Sequence, residues 1–195
     1  LGQVALILRR HGIIALFVMA FMALGGYYSH VTPCFETPDE TWHYRYVKHL
    51  ADGQGLPPLF ISNDEWEQGE AHQPPLFYAL GALLTKSIDT GPADSLYERN
   101  PYAALGLPHA PGNKNAVLHT EELGSPSANV IQAVRRLRWF SVICSALTVL
   151  LTYLISMEIL PQRRDIAFGA TALAAFNPQF VFISAGANND ALVTA

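Results

Sequence analysis

Eighteen residues without a charge, Gly12 to Ser29, follow Arg9-Arg10-His11. At ~1.5 Å per residue a helix over this run reaches roughly 27 Å, enough to cross a hydrocarbon core of about 30 Å once the flanking side chains snorkel. A basic start before an apolar stretch is also the pattern of a signal peptide. The run is longer than a usual signal core, and no convincing small-x-small cleavage site follows Tyr27-Tyr28, so a retained membrane helix with those tyrosines as an aromatic belt is favoured. A second uncharged run covers nineteen residues, Trp139 to Met157, between Arg138 and Glu158, and a third extends from Ile166 to Asn189. Composition agrees with lipid: 50% of the residues are hydrophobic and 14% charged, against about a quarter charged in soluble domains.

The tight Pro161-Gln162-Arg163-Arg164-Asp165 connection and Arg9-Arg10 are the basic segments that the positive-inside rule puts in the cytoplasm. Asp39, after the first span, and Asp190, at the end of the third, then share the extracytoplasmic side. This divides the chain into an N-terminal segment with the first membrane helix (1–29), an extracytoplasmic loop (30–134), and a second and third membrane helix (135–195). The fold expected is an all-α polytopic membrane protein whose large first extracytoplasmic loop carries interfacial amphipathic helices. The chain begins without Met and stops within an apolar run, so it is expected to be a piece of a longer protein. Net charge −4, with basic residues in small separate groups, argues against a nucleic-acid partner. Cys34 and Cys144 are too few for a disulfide framework and are expected unpaired.

Within the loop, Thr37, Pro38 and Glu40 have the spacing of a capping box, with Thr37 as N-cap, proline at the first helical position and Glu40 three residues after the cap. Trp42, Tyr46, Val47 and Leu50 recur on one face, with Lys48 and Asp52 elsewhere, and Gly53 and Gly55 stop the helix. Such a helix should lie in the membrane interface. Pro74-Pro75 opens a second apolar run, Leu76 to Leu84, too short to span. The segment from about Ser87 to Ser127, broken by five prolines, is expected to be irregular and to act as a lid.

Asp39 and Glu40 sit just beyond the first span, where an acid is costly enough to imply function. Glu40 has a structural duty in the capping box; Asp39 has none, and at a helix N-terminus its ionised form is favoured. His43 shares a face with Asp39 at i+4. The pair could hold a divalent cation, but two ligands do not define a metal site, and His43 alone reads as an interfacial structural histidine. His72, before the proline pair, converges on the same place only if its helix docks there. Arg135, Arg136 and Arg138 at the outer end of the second span are either snorkelling residues or a clamp for a lipid phosphate. Pro178 implies a kink in the third span, freeing the carbonyl near Ala174. Asn188-Asn189-Asp190 is either a polar helix end or a second acceptor group facing Asp39.

Taken in order, Pro38-Asp39-Glu40, His43, Tyr46, Gly55-Leu56-Pro57, His72-Gln73-Pro74-Pro75-Leu76-Phe77-Tyr78, Asn177-Pro178 and Asn188-Asn189-Asp190 resemble the N-terminal part of GT-C class membrane glycosyltransferases. The likeness is to bacterial relatives of the protein O-mannosyltransferase and aminoarabinose transferase superfamily, and it covers nearly the whole chain. It implies transfer of a sugar from a polyprenyl-phosphate donor, at the outer face of a bacterial cytoplasmic (inner) membrane, with the aspartate after the first span, here Asp39, as the catalytic residue. The family has many more spans than the three read here, and those helices would complete the donor and acceptor sites.

The chemistry expected is general-base attack: Asp39 takes the proton of an acceptor hydroxyl, which displaces phosphate from the anomeric carbon with inversion. Positive charge around the leaving phosphate would come from Arg135, Arg136, Arg138 or a divalent cation. His43, His72, Asn189 and Asp190 complete the candidate substrate contacts. The acceptor is a glycan, a lipid or a protein. A transporter with Asp39 and Asp190 as ligands is the main alternative, although transporters usually place such acids near the bilayer midplane. A non-enzymatic assembly or polysaccharide-binding protein is a further one.

Overall fold

A computed structural model describes residues 2–58, 69–92, 96–103, 109, 111–112, 114–119 and 126–195, with side chains described from residue 12 onwards. Arg9 and Arg10, the expected cytoplasmic flank, therefore lie outside the described side chains. Parts of the expected lid, residues 93–95, 104–108, 110, 113 and 120–125, lie outside the described residues too.

All regular structure among the described residues is helical: α1 (Gly2–Val31), α2 (Glu40–Ala51), α3 (Leu76–Thr85), α4 (Ala128–Ile159), α5 (Arg164–Ala175), α6 (Pro178–Ser184) and α7 (Asp190–Val193). Two of these, α1 over Gly12–Val31 and α4, are long and apolar enough to cross a membrane. Both exceed their uncharged runs, because charge at a helix end does not stop a helix. In α4, Ser127 caps the start by accepting the Val130 N–H at 3.3 Å, so the helix begins inside the stretch read from sequence as loop.

The third apolar run is not one continuous helix. The α5 and α6 axes meet at 57°, and only together, as a bent pair, are they long and apolar enough to cross a membrane. Pro178 has no N–H to continue α5, and Asn177 restarts the chain by accepting the Gln179 and Phe180 N–H groups at 2.9 and 3.2 Å. The Ala174 carbonyl, expected to be stranded by the proline, is met by the Asn177 N–H at 3.4 Å. Helix α6 then stops at Ser184, short of the expected Asn189.

Packing proceeds in layers along α4. At one end Ile14, Tyr153 and Ala167 join α1, α4 and α5, with Phe168 stacked on Tyr153 at 5.5 Å. Phe21, Ala146, Val149, Ala175 and Val181 fill the middle. At the other end α2, α3 and the first turns of α4 share a larger cluster that includes Tyr44, Val47, Phe77, Val134 and Leu137. Outside this core α1, α4 and α5 stay apolar, with Leu16, Met19, Ile155 and Leu173 more than half exposed. Within α4, Thr152 and Ser156 donate to carbonyls one turn back at 2.8 and 2.7 Å, whereas the Ser141 and Ser145 hydroxyls are buried without a hydrogen-bond partner among the described residues.

Helix α2 differs from the amphipathic helix expected. Tyr46 and Val47 are buried as foreseen, but Tyr44 is buried as well, and Lys48, read as outward, is only 6% exposed. Its Nζ reaches back to Asp52 at 3.0 Å. Protein therefore covers most of α2, whereas α3 leaves Leu76 and Leu83 more than 60% exposed. The helix stops where glycine was read as the stop: Gly53 takes φ 78° and its N–H bonds to the Leu50 carbonyl at 3.0 Å.

Candidate functional site

The turn between α1 and α2 carries the backbone strain. Phe35 and Asp39 are the non-glycine residues with positive φ among the described residues, at 68° and 57°. A left-handed conformation costs an L-residue about 1–2 kcal/mol, and such strain persists only where surrounding contacts over-determine it. Here those contacts converge on Glu40. Its carboxylate is 0% exposed and accepts four hydrogen bonds: from Arg138 Nε at 2.7 Å and Nη2 at 2.6 Å, from the Phe35 N–H at 2.8 Å and from the Ala187 N–H at 2.9 Å.

This replaces the capping box. Asp39, not Thr37, is the residue before α2, and neither its side chain nor that of Glu40 caps the helix. Thr37 Oγ1 is buried with no hydrogen-bond partner, pressed against the glycine that precedes Ala187: a Cβ on Gly186 would lie 2.7 Å from it. The Glu40 side chain thus ties the end of α1, the start of α2, the middle of the chain at α4 and the segment after α6 at one point.

Arg138 is correspondingly not a phosphate clamp. It is 2% exposed, and besides its two bonds to Glu40 it donates to the carbonyls of Ser29, Thr32 and Pro33 at 2.7 to 2.8 Å. All five guanidinium N–H groups are used. Arg135 and Arg136 remain exposed. Arg136 Nη1 reaches the Leu84 carbonyl at 2.9 Å and Ser87 Oγ at 3.3 Å, while Arg135 has no hydrogen bond or ion pair among the described residues. They line two voids, of about 530 and 830 Å³, and neither void is lined by Asp39, His43 or Asp190. The sequence reading grouped the three arginines with the acids; the structure ties Arg138 to Glu40 and leaves Arg135 and Arg136 without an acid partner among the described residues.

A separate group of residues surrounds His43. His43 is 5% exposed, and its Nδ1 lies 2.9 Å from the Tyr78 hydroxyl of α3. Tyr78 stacks on Tyr46 with ring centres 3.9 Å apart, which fixes its direction. Burial lowers the pKa of His43, opposed by the charges of Glu70, Asp39, Asp190 and Glu40. The neutral ring can then accept the Tyr78 O–H, whose own pKa burial raises. Asp39 and Asp190 are both exposed, and the charge of each acts on His43; the start of α2 meets the segment after α6 through the Ala187 N–H bond to Glu40. Asn189 is buried and donates to Gln73 Oε1 at 3.1 Å, holding the loop before α3 against α7. His72 itself is exposed and has no hydrogen bond or ion pair among the described residues.

Two residues of this region escaped the sequence reading. Glu70 carries a buried oxygen, Oε2, with no hydrogen-bond partner among the described residues, and its charge is the largest among those acting on His43. Glu36 accepts the Ala116 and Val117 N–H groups at 2.8 and 3.0 Å and pairs with His119 Nε2 at 2.8 Å, pinning the described part of the irregular segment onto the α1–α2 turn. Neither has a motif around it; both act across long sequence separations. Cys34 and Cys144 are free, as expected, and burial raises the Cys34 thiol above its usual range. Among the described residues no three His, Cys, Asp or Glu side chains stand where they could hold a metal ion. The chain matches no protein-family model, no curated protein and no solved structure.

Proposed function

We propose that the chain is the acidic, outward-facing end of an integral-membrane glycosyltransferase of GT-C type in a bacterial cytoplasmic membrane. It would move a sugar from a polyprenyl-phosphate donor to an acceptor hydroxyl on a glycan, lipid or protein, with inversion. The observation that carries this reading is the contrast between two neighbours. Glu40 is wholly consumed in holding the turn together, and Asp39 is held beside it, exposed, in a strained conformation and with no side-chain hydrogen bond or ion pair among the described residues. An acid kept at a helix start against a conformational cost, without structural duty, supports a chemical role for Asp39.

In this role Asp39 accepts the proton of the acceptor hydroxyl as its oxygen attacks the anomeric carbon; the bond to phosphate breaks and the phosphate leaves as an anion. Asp190 offers a further carboxylate to a polyol acceptor, and Asn189, bonded to Gln73, holds the loop before α3 beside it. Arg138 does not reach the leaving phosphate, since its donors are spent. The described residues do not compose a metal site as they stand, and no step is assigned to one. The transporter alternative fits less well, because Asp39 and Asp190 emerge at helix ends rather than midway along a span.

The test is Asp39→Asn in the full-length protein, assayed for transfer of labelled sugar from a polyprenyl-phosphate donor. Loss of transfer by about 10²-fold or more, with unchanged membrane abundance, is expected for a general base. Activity near that of the unaltered protein refutes the assignment.

A further inference from the structure

One face of α4 reads as an amphiphile's mirror image. Gln132, Arg135 and Arg136 occupy its first exposed turns, and Trp139, Phe140 and Ile143 follow at i+3, i+4 and i+7 spacing, about a third of a turn round the helix from Arg138. Together with Leu84 at the end of α3 these residues line the void of about 830 Å³. Trp139 and Ile143 are 44% and 55% exposed in it. From Arg135 to Ile143 the groove runs about 12 Å along a helix apolar enough to span a membrane.

The cationic end opens into a second space. Arg135, Ala128 and Ile131 line both the groove and the void of about 530 Å³, whose other walls include Ser29, His30, His119 and Ser127. A tail-shaped apolar space and a polar space thus meet at a guanidinium. No carboxylate among the described residues balances Arg135 or Arg136: Arg136 bonds only neutral oxygens. This charge asks for an anion, and the groove below asks for a hydrocarbon chain.

We propose that this groove binds an anionic glycerophospholipid of the surrounding membrane, its phosphate on Arg135 and Arg136, one acyl chain along Trp139, Phe140 and Ile143, and its polar head in the space beside His30 and Ser127. This is a site apart from the acid cluster, because neither void is lined by Asp39, His43 or Asp190. A lipid there is a bystander to the chemistry. It bridges α3 to α4 beside the Arg136 bond to the Leu84 carbonyl, and α3 carries Tyr78, the partner of His43. The inference rests on α4 lying in a membrane, and not on glycosyl transfer.

The experiment uses the full-length protein in phosphatidylcholine nanodiscs that also contain phosphatidylglycerol and, in a separate arm, polyprenyl phosphate. Lipid that stays bound through exchange into detergent is measured by mass spectrometry, with no sugar donor or acceptor present. Both lipids carry a phosphate, but phosphatidylcholine also brings a quaternary ammonium against the two arginines, so phosphatidylglycerol should be retained about tenfold or more over it. Arg135→Ala, which breaks no bond within the described residues, should remove most of that preference, and Arg135→Lys should restore part of it. Equal retention of the two phospholipids, or retention unchanged in Arg135→Ala, overturns the proposal. Preferential retention of polyprenyl phosphate overturns it as well, by giving the groove to the donor. Because transfer is not measured, failure here leaves the catalytic reading of Asp39 standing.

Discussion

Replacing Arg138 by methionine is the sharpest test of how the turn is held. The substitution keeps most of the side-chain volume and removes five N–H donors. Glu40, 0% exposed, would keep only the Phe35 and Ala187 N–H groups. Removing one partner of a buried ion pair costs about 3–5 kcal/mol, because the remaining charge has no water to return to. The carbonyls of Ser29, Thr32 and Pro33 add little, since these three residues line the void of about 530 Å³ and water can take the place of the guanidinium. Glu40→Gln should cost a similar amount, leaving Arg138 buried without its counter-charge. The double variant should cost less than the sum by about 2–3 kcal/mol, the coupling expected of directly bonded groups. It should not return to the starting stability, because the Phe35 and Ala187 N–H groups lose their ionised acceptor. Unfolding by sodium dodecyl sulfate titration of the purified protein measures all three. A cost below about 1 kcal/mol for Arg138→Met, or additivity within about 0.5 kcal/mol, would refute the claim that this pair organises the site.

Asp39→Gly should lose transfer while gaining up to about 1 kcal/mol of stability relative to Asp39→Ala, since glycine takes φ 57° without a Cβ penalty; equal thermal midpoints for the two would remove the strain argument. Gly186→Ala places a methyl 2.7 Å from Thr37 Oγ1 and 3.0 Å from its Cβ, and should destabilise by about 1–3 kcal/mol in the same titration. Tyr78→Phe removes the hydroxyl at His43 Nδ1 and should shift the nitrogen-15 resonances of the His43 ring; unchanged resonances would deny the bond. The pH dependence follows from His43, whose folded pKa is lowered by burial. The unfolded chain takes up a proton near its ordinary value of about 6.5 before the folded one does, so stability is fully present above that pH and declines as pH falls through it towards the folded value. His43→Gln should flatten the acid side of the stability profile by that contribution, and an unchanged slope would count against a buried neutral imidazole.

The irregular segment shows where reading a sequence fails for a physical reason. Its prolines announce the absence of helix, and the described residues contain only an isolated bridge between Arg99 and Val117. What attaches it is Glu36, eighty residues away along the chain, and no local pattern encodes a partner at that distance. Glu40 makes the same point more strongly. Its spacing from Thr37 fits a capping box, and a local rule assigns it there; a buried guanidinium offers its carboxylate more than one backbone N–H does, and the tertiary contact wins.

What the sequence determined by itself were the features set by local chemistry. Uncharged runs made α1 and α4 helices that can cross a membrane, Gly53 ended α2, Pro74-Pro75 opened α3, and Pro178 broke the third run, each through the reach of a backbone or the lack of an N–H. Only the tertiary structure decided which of the charges stay free. Three arginines at one helix start look alike in sequence, yet their angular positions on α4 bury Arg138 against Glu40 and leave Arg135 and Arg136 to the outer groove. Two adjacent acids look alike as well, and the same burial consumes Glu40 and spares Asp39. Charge is written residue by residue, but its availability depends on what folds against it, and that is fixed by contacts about a hundred residues apart.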